Sequence, residues 1–278
     1  MKHLYLNLKR FDVPAEMGGV NRLAPVKEWG SAIVFAVQEG LKRYSADEAE
    51  FVMFFPEAHL LGAASARCGS SPIKLGCQGV YREDVTFGGN FGAFTANRPA
   101  AAAKALGCES ALIGHYEERL DKAGILFEAG VTDAAAVNRL LNKEIKRALS
   151  RGLSVLYCIG ESADEQDRWQ EVLGMQLQIG LDGVDKSRVV IAYEPIWSIG
   201  PGKTPAGREY IQKTARFIKE RTAGAPVVYG GGLKSENAEM LASISELDGG
   251  LIALTRFSGE IGFYPDEYLE IIRKYLGR

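Results

Sequence analysis

Several classes of protein are excluded by what this sequence lacks. No apolar run among its 278 residues is long enough to span a membrane. Lysine plus arginine number 33 against 35 aspartate plus glutamate, so the formal net charge is -2, and no basic stripe suited to nucleic acid is present. The first residues carry no signal-peptide pattern. We therefore expect a cytoplasmic protein that binds neither membranes nor nucleic acid.

Cysteine and histidine are also scarce. The four cysteines, Cys68, Cys77, Cys108 and Cys158, form no C-x-x-C pair, and only three histidines accompany them. This composition gives no sign of a metal site. We expect four reduced, buried thiols and no metal or cofactor.

The chain shows no Pro/Ser-rich linker and no shift in composition, so we predict one domain over residues 1–278. Apolar runs alternate with helical stretches, which predicts an α/β fold with a parallel sheet and right-handed crossovers. Eight units predict closure into a (β/α)₈ barrel, for which ~250 residues is typical. The runs are Leu4–Leu8, Phe51–Phe55, Ile73–Cys77, Ala111–Ile113, Ser154–Cys158, Val189–Tyr193, Val227–Tyr229 and Leu251–Leu254. The predicted helices include Ala32–Tyr44, Ala134–Ser150, Glu165–Leu177, Arg208–Arg221 and Asp266–Leu276.

The segment from Val190 to Thr204 is the most informative part of the chain. It begins as a buried strand and places the carboxylate of Glu194 at the strand's C-terminal end, where barrel enzymes carry their chemistry. A loop rich in glycine and proline follows at once and is typical of a hinged lid. Taken alone, a glutamate at a strand end more often pairs with a nearby lysine.

Six segments together favour a catalytic role for Glu194 over a simple ion pair. They are Asn7-Leu8-Lys9, Gly92–Thr95, Ile113–Arg119, Cys158–Glu161, Ala192–Trp197 and Tyr229–Gly231. In type, order and spacing they resemble the motifs of the triosephosphate isomerase family, and the resemblance covers nearly the whole chain. It implies a TIM barrel that interconverts dihydroxyacetone phosphate and glyceraldehyde 3-phosphate through an enediolate, without a cofactor.

The resemblance also assigns roles. It implies that Glu194 is the base and that His115, as a neutral imidazole, is the electrophile, which is the established pairing in that family. Glu117 corresponds to a supporting carboxylate. Lys9 would offset the charge of the phosphate and the enediolate, and Asn7 would hold Lys9 and donate to the substrate. Strand alternation by itself puts Asn7 and Lys9 on one face.

Glycines mark the expected phosphate site. Gly200 lies in the expected lid, Pro195–Lys203, and Gly230, Gly231 and Gly232 follow the seventh strand. Glycine lets backbone N–H groups approach a phosphate closely. A glycine triplet could also be no more than a tight turn.

The eighth strand and its loop depart from the family pattern. Ala253 and Leu254 stand where two phosphate-facing glycines are typical, so the role of the loop Ala253–Phe257 is open. Thr255 and Arg256 add a hydroxyl and a guanidinium suited to a phosphate or a carboxylate. Arg256 could equally point into solvent.

Further departures are Asn97, Tyr116, Glu118, Pro201 and Gly232. A retained set of catalytic residues with an altered phosphate pocket suggests a longer substrate, such as a tetrulose (erythrulose) phosphate. Two other readings are a phosphate-sensing barrel without activity and a barrel aldolase with a Schiff-base lysine.

The long connection Gly79–Asn97 carries Phe87, Phe91 and Phe94. Such a cluster is unlikely to face water alone. The resemblance implies that this loop inserts into a partner subunit, and we expect a homodimer. The alternative is a loop that folds back over its own barrel.

Overall fold

The computed structural model describes residues 1–200 and 203–278. Eight strands form a closed barrel in which each strand pairs in parallel with its neighbours in sequence, and β8 pairs with β1. The predicted fold is therefore confirmed. The strands are β1 Lys2–Asn7, β2 Ala49–Phe55, β3 Ile73–Cys77, β4 Ser110–Ile113, β5 Ser154–Ile159, β6 Val189–Tyr193, β7 Val227–Tyr229 and β8 Gly249–Ile252.

Helices surround this barrel. They are α1 Trp29–Leu41, α2 Glu57–Ala66, α3 Ala100–Ala105, α4 Tyr116–Glu128, α5 Ala134–Ser150, α6 Trp169–Gly180, α7 Arg208–Thr222, α8 Ala238–Ala242 and α9 Pro265–Tyr275. Local signals explain several ends. The carboxylate of Asp133 accepts the backbone N–H of Ala136 and so caps α5, while Pro265 begins α9 with its ring-fixed φ.

Alternation along the strands divides the core into two layers. Leu4 and Leu6 point outward and pack with the helices, whereas Tyr5 points into the barrel. Val52 and Phe54 likewise face inward, among smaller residues from the other strands. The barrel interior is therefore filled, and the chemistry is left to the loops at the C-terminal ends of the strands.

Some expectations need correction. The eighth strand covers Gly249–Ile252, so Ala253 and Leu254 already belong to the loop. The sequence pattern predicts no helix over α4, because that helix buries none of its residues and so carries no apolar stripe for the core. Cys68 is exposed rather than buried, since it lies in the turn after α2. In the described residues, no helix is long and apolar enough to cross a membrane.

Candidate active site

The carboxylate of Glu194 lies directly after β6 and is buried, with 3% of the residue exposed. A Cβ on Gly230 would come within 2.7 Å of its Cγ, and one on Gly160 would overlap its carbonyl oxygen. Both positions need glycine so that neighbouring backbone can enclose Glu194. The backbone N–H of Tyr116 donates to Oε2 at 3.2 Å.

Burial raises the pKa of Glu194 to about 7, although the charge of Lys9 and the N–H of Tyr116 oppose the shift. A carboxylate with this pKa is a stronger base than an ordinary glutamate and is still ionised in about half of the molecules at neutral pH.

The imidazole of His115 lies opposite Glu194. Its Nε2 is 3.7 Å from Glu194 Oε1. His115 is also the N-cap of α4, where Nδ1 accepts the backbone N–H of Glu117 at 3.4 Å. A ring nitrogen that accepts carries no proton, so in the neutral ring the proton is on Nε2. Burial, followed by the charge of Lys9, lowers the pKa of His115 to about 4, and the ring is neutral near pH 7.

Glu117 reaches this site through its backbone. Its side chain is 87% exposed, and Oε2 is 3.8 Å from His115 Nδ1. The hydrogen bond to the imidazole comes from its backbone N–H and not from its carboxylate.

Lys9 and Asn7 meet at the end of β1. Asn7 is buried, and its Oδ1 accepts the backbone N–H of Lys9 at 3.1 Å. Lys9 adopts a left-handed backbone with φ of 42°, so it turns out of the strand instead of continuing it. Gln78 holds the turn by donating to Lys9 O at 3.0 Å and to Asn7 Oδ1 at 3.3 Å. The positive charge of Lys9 acts to lower the pKa of both Glu194 and His115.

The start of the expected lid is fixed by Glu161. Its Oε1 accepts from Tyr193 Oη at 2.9 Å, from Trp197 Nε1 at 2.8 Å and from Tyr210 Oη at 3.1 Å. Three donors on one buried carboxylate oxygen tie β6, the lid and α7 together. Gly200 follows, exposed, with φ of 118°. The predicted lid tip at Pro201 and Gly202 lies outside the described residues.

The glycine turn after β7 lies beside Glu194. Gly230 donates its N–H to Tyr193 O, and Gly232 has φ of 94°, which favours glycine. The N–H groups of Gly231 and Gly232 donate no hydrogen bond within the described part of the chain. They are available to an anion.

Thr255 and Arg256 are engaged in holding the eighth loop. Thr255 Oγ1 accepts the N–H of Tyr264 at 2.9 Å. The guanidinium of Arg256 binds Glu267 at 2.8 and 2.5 Å and stacks on the ring of Tyr264. Among residues 1–200 and 203–278, no hydrogen bond joins either of them to Glu194, His115 or Lys9.

Three residues that build this site carry no role in the sequence-based prediction: Gln78, Gly160 and Glu161. Gly160 and Glu161 lie within a matched segment directly after β5, and Gln78 is the polar residue that directly follows β3. Position at the C-terminal end of a barrel strand was the available signal. Their partners are distant in sequence, which no local pattern reveals.

The comparisons with known proteins agree with this geometry. The family described as triosephosphate isomerase matches residues 29–273. The chain belongs to the triosephosphate isomerase family. The triosephosphate isomerase of Chlorobium phaeovibrioides is 34% identical over 242 residues, covering 83% of this chain and 87% of that protein. That of Cupriavidus pinatubonensis is 35% identical, covering 78% and 85%.

A crystal structure of triosephosphate isomerase from Bartonella henselae has the same fold. Its TM-score is 0.72 at 23% identity, and the match covers 99% of this chain and 98% of that one. The resemblance drawn from the six segments is thus confirmed. Because the chain belongs to the triosephosphate isomerase family, an isomerase is the first activity to consider for the adjacent side chains of Glu194 and His115.

Proposed function

We propose that this chain is a triosephosphate isomerase-type aldose–ketose isomerase, interconverting dihydroxyacetone phosphate and glyceraldehyde 3-phosphate without a cofactor. One observation carries the proposal: a buried carboxylate with a pKa of about 7 lies 3.7 Å from a neutral imidazole. Both side chains follow strands of a barrel whose family performs that reaction. The relatives cited above do not favour a tetrulose phosphate as the substrate.

In the proposed reaction Glu194 takes a proton from the carbon next to the substrate carbonyl and returns it to the neighbouring carbon. His115 donates Nε2–H to the oxygen on which negative charge develops, and the proton of the substrate's adjacent hydroxyl passes to that oxygen through the same imidazole nitrogen, so that the hydroxyl carbon becomes the new carbonyl. Lys9 offsets both that charge and the negative charge of the phosphate, and Asn7 holds the turn of Lys9. Exclusion of water by the lid protects the enediolate phosphate from elimination and strengthens the base.

We further propose that backbone N–H groups of Gly200, Gly231 and Gly232 hold the phosphate. Two observations support this proposal. The N–H groups of Gly231 and Gly232 donate no hydrogen bond within the described residues, and the turn that holds them packs against Glu194 through Gly230. Arg256 binds Glu267, so we assign it to shaping the loop rather than to the phosphate.

The substrate assignment is tested by comparing kcat/KM for dihydroxyacetone phosphate and for a tetrulose phosphate. We expect the triose phosphate to be preferred, because the relatives that match most of the chain carry that activity in their names. Arg256→Ala should leave this preference unchanged. A higher kcat/KM for the tetrulose phosphate would reassign the substrate.

The pKa of Glu194 predicts the pH dependence. Protonation removes the base, so kcat/KM should reach a plateau above pH of about 7 and fall about tenfold per unit well below it. The substrate's phosphate, with a pKa near 6, also titrates in this range. ¹³C NMR of the carboxyl of Glu194 in the free protein separates the two. A titration near 4 would contradict the prediction.

We propose a homodimer formed through the loop Gly79–Asn97. Phe87 and Phe91 are 108% and 86% exposed, although the base of the loop is firmly anchored. The carboxylate of Asp84 pairs with Arg151 and accepts the N–H of Ala101. The side chain of Asn90 donates to the backbone carbonyl of Asp84. A held loop that presents two aromatic rings to water fits a partner's surface better than its own barrel.

Phe87→Asp should convert dimers to monomers and lower kcat/KM, because dimer formation would then bury an unpaired carboxylate in the interface. Sedimentation velocity at micromolar concentration measures the change. Phe35→Asp is the matched control, since Phe35 is 76% exposed on α1. A wild-type protein that is already monomeric at that concentration would remove the proposal.

We also propose one domain over residues 1–278 and a cytoplasmic location. The elements of the barrel run from Lys2 to Tyr275, which supports the first proposal. The four cysteines are unpaired thiols, as is usual in a reducing compartment, which supports the second.

A further inference from the structure

The backbone of Gly114, directly before His115, is held at both its N–H and its carbonyl oxygen. Gly114 precedes it with φ of 82°, and a Cβ there would lie 2.8 Å from the carbonyl oxygen of Cys158. The N–H of Gly114 donates to Glu118 Oε2 at 2.6 Å, and its carbonyl accepts from Arg119 Nε at 2.8 Å. Two consecutive side chains of α4 thus fix the backbone immediately before the imidazole.

Glu118 is itself held by a second helix. Lys122 Nζ lies 2.8 Å from Glu118 Oε1 and 3.1 Å from Glu144 Oε1 on α5. Glu144 is buried, and burial together with the charge of Glu118 raises its pKa. The ammonium of Lys122 lies between the two carboxylates and so ties Glu118 on α4 to Glu144 on α5.

The N–H of Gly114 needs an acceptor, and the carboxylate of Glu118 supplies one. None of the roles given above to Glu194, His115 or Lys9 uses Glu118 or the two residues that support it.

We infer that Glu118 is a positioning residue for His115, acting through the peptide of Gly114 and supported by Lys122 and Glu144. The inference rests on the proposed role of His115 as electrophile. An imidazole must direct Nε2–H at the substrate oxygen within a small tolerance, and an error of ~1 Å can cost ~100-fold in rate. A carboxylate anchored to two helices keeps the ring's backbone from shifting.

The test compares Glu118→Ala with Glu118→Gln and with the control Asp121→Asn. Glu118→Ala removes the acceptor, whereas the amide oxygen of glutamine can still accept from Gly114. Asp121 is exposed on the same helix, and its carboxylate forms no hydrogen bond within the described part of the chain. We expect Glu118→Ala to lower kcat by about 10- to 100-fold with KM little changed. Glu118→Gln should recover most of the loss, and Asp121→Asn should match the wild type.

A second readout is independent of activity. ¹⁵N NMR of histidine-labelled protein reports the imidazole nitrogens of the three histidines, with His115 assigned by its absence in His115→Gln. Its signals should move in Glu118→Ala and not in Asp121→Asn, while those of His3 and His59 stay in place. If Glu118→Ala does not fold, Lys122→Met serves instead, with an expected loss in kcat of about two- to fivefold and the same NMR shift.

Wild-type kcat in a folded Glu118→Ala would overturn the inference, as would a loss of kcat with unmoved His115 signals. If Lys122→Met is the variant used, an unchanged kcat together with unmoved His115 NMR signals would also overturn the inference. The proposed function stands or falls separately, on whether the wild type isomerises dihydroxyacetone phosphate.

Discussion

Replacing Glu194 by aspartate should lower kcat by about 100-fold while KM changes little. The side chain becomes one methylene shorter, so the carboxylate retracts by ~1 Å from the carbon whose proton it removes, and an error of that size can cost ~100-fold. The site cannot easily compensate. Gly160 and Gly230 enclose the residue, and the N–H of Tyr116 fixes one carboxylate oxygen.

Steady-state kinetics with dihydroxyacetone phosphate measures this loss. The matched control is Glu209→Asp, because Glu209 is exposed in the first turn of α7 and should tolerate the same change without loss. Circular dichroism should show both variants folded. Wild-type turnover in Glu194→Asp would remove Glu194 as the base, and another carboxylate near the imidazole would have to be sought.

His115→Gln should lower kcat by about 100- to 1000-fold, which is the usual result of losing a donor to a developing oxyanion. A glutamine amide can donate, but it lacks the rigid ring that is placed by the N-cap contact of Nδ1 with Glu117. The charge of the ring also matters, because a pKa of about 4 keeps the imidazole neutral near pH 7, with its single N–H on Nε2.

His3→Gln is the control for this variant. His3 lies on β1 at the opposite end of the barrel, where its Nδ1 contacts Glu50. We expect near wild-type activity there and comparable folding of both variants. If His115→Gln were fully active, the carbonyl would be polarised by another group, and Lys9 would be the first to test.

The sequence alone determined the fold, and it predicted most residues of the candidate site. Eight apolar runs separated by helical stretches predicted the barrel, because short buried strands joined by helices have few other arrangements. Position at strand ends, together with the matched segments, selected Asn7, Lys9, His115 and Glu194. These signals are short segments of contiguous sequence, so they can be recognised without knowledge of the tertiary structure.

Only the tertiary structure determined how these groups are tuned. The pKa values of Glu194 and His115 depend on burial and on the charge of Lys9, and both arise only when β1, β4 and β6 meet in the closed barrel. The same holds for Arg256, whose partner Glu267 lies on α9. A sequence gives the residue types, but desolvation and charge coupling depend on distances between segments that are remote along the chain.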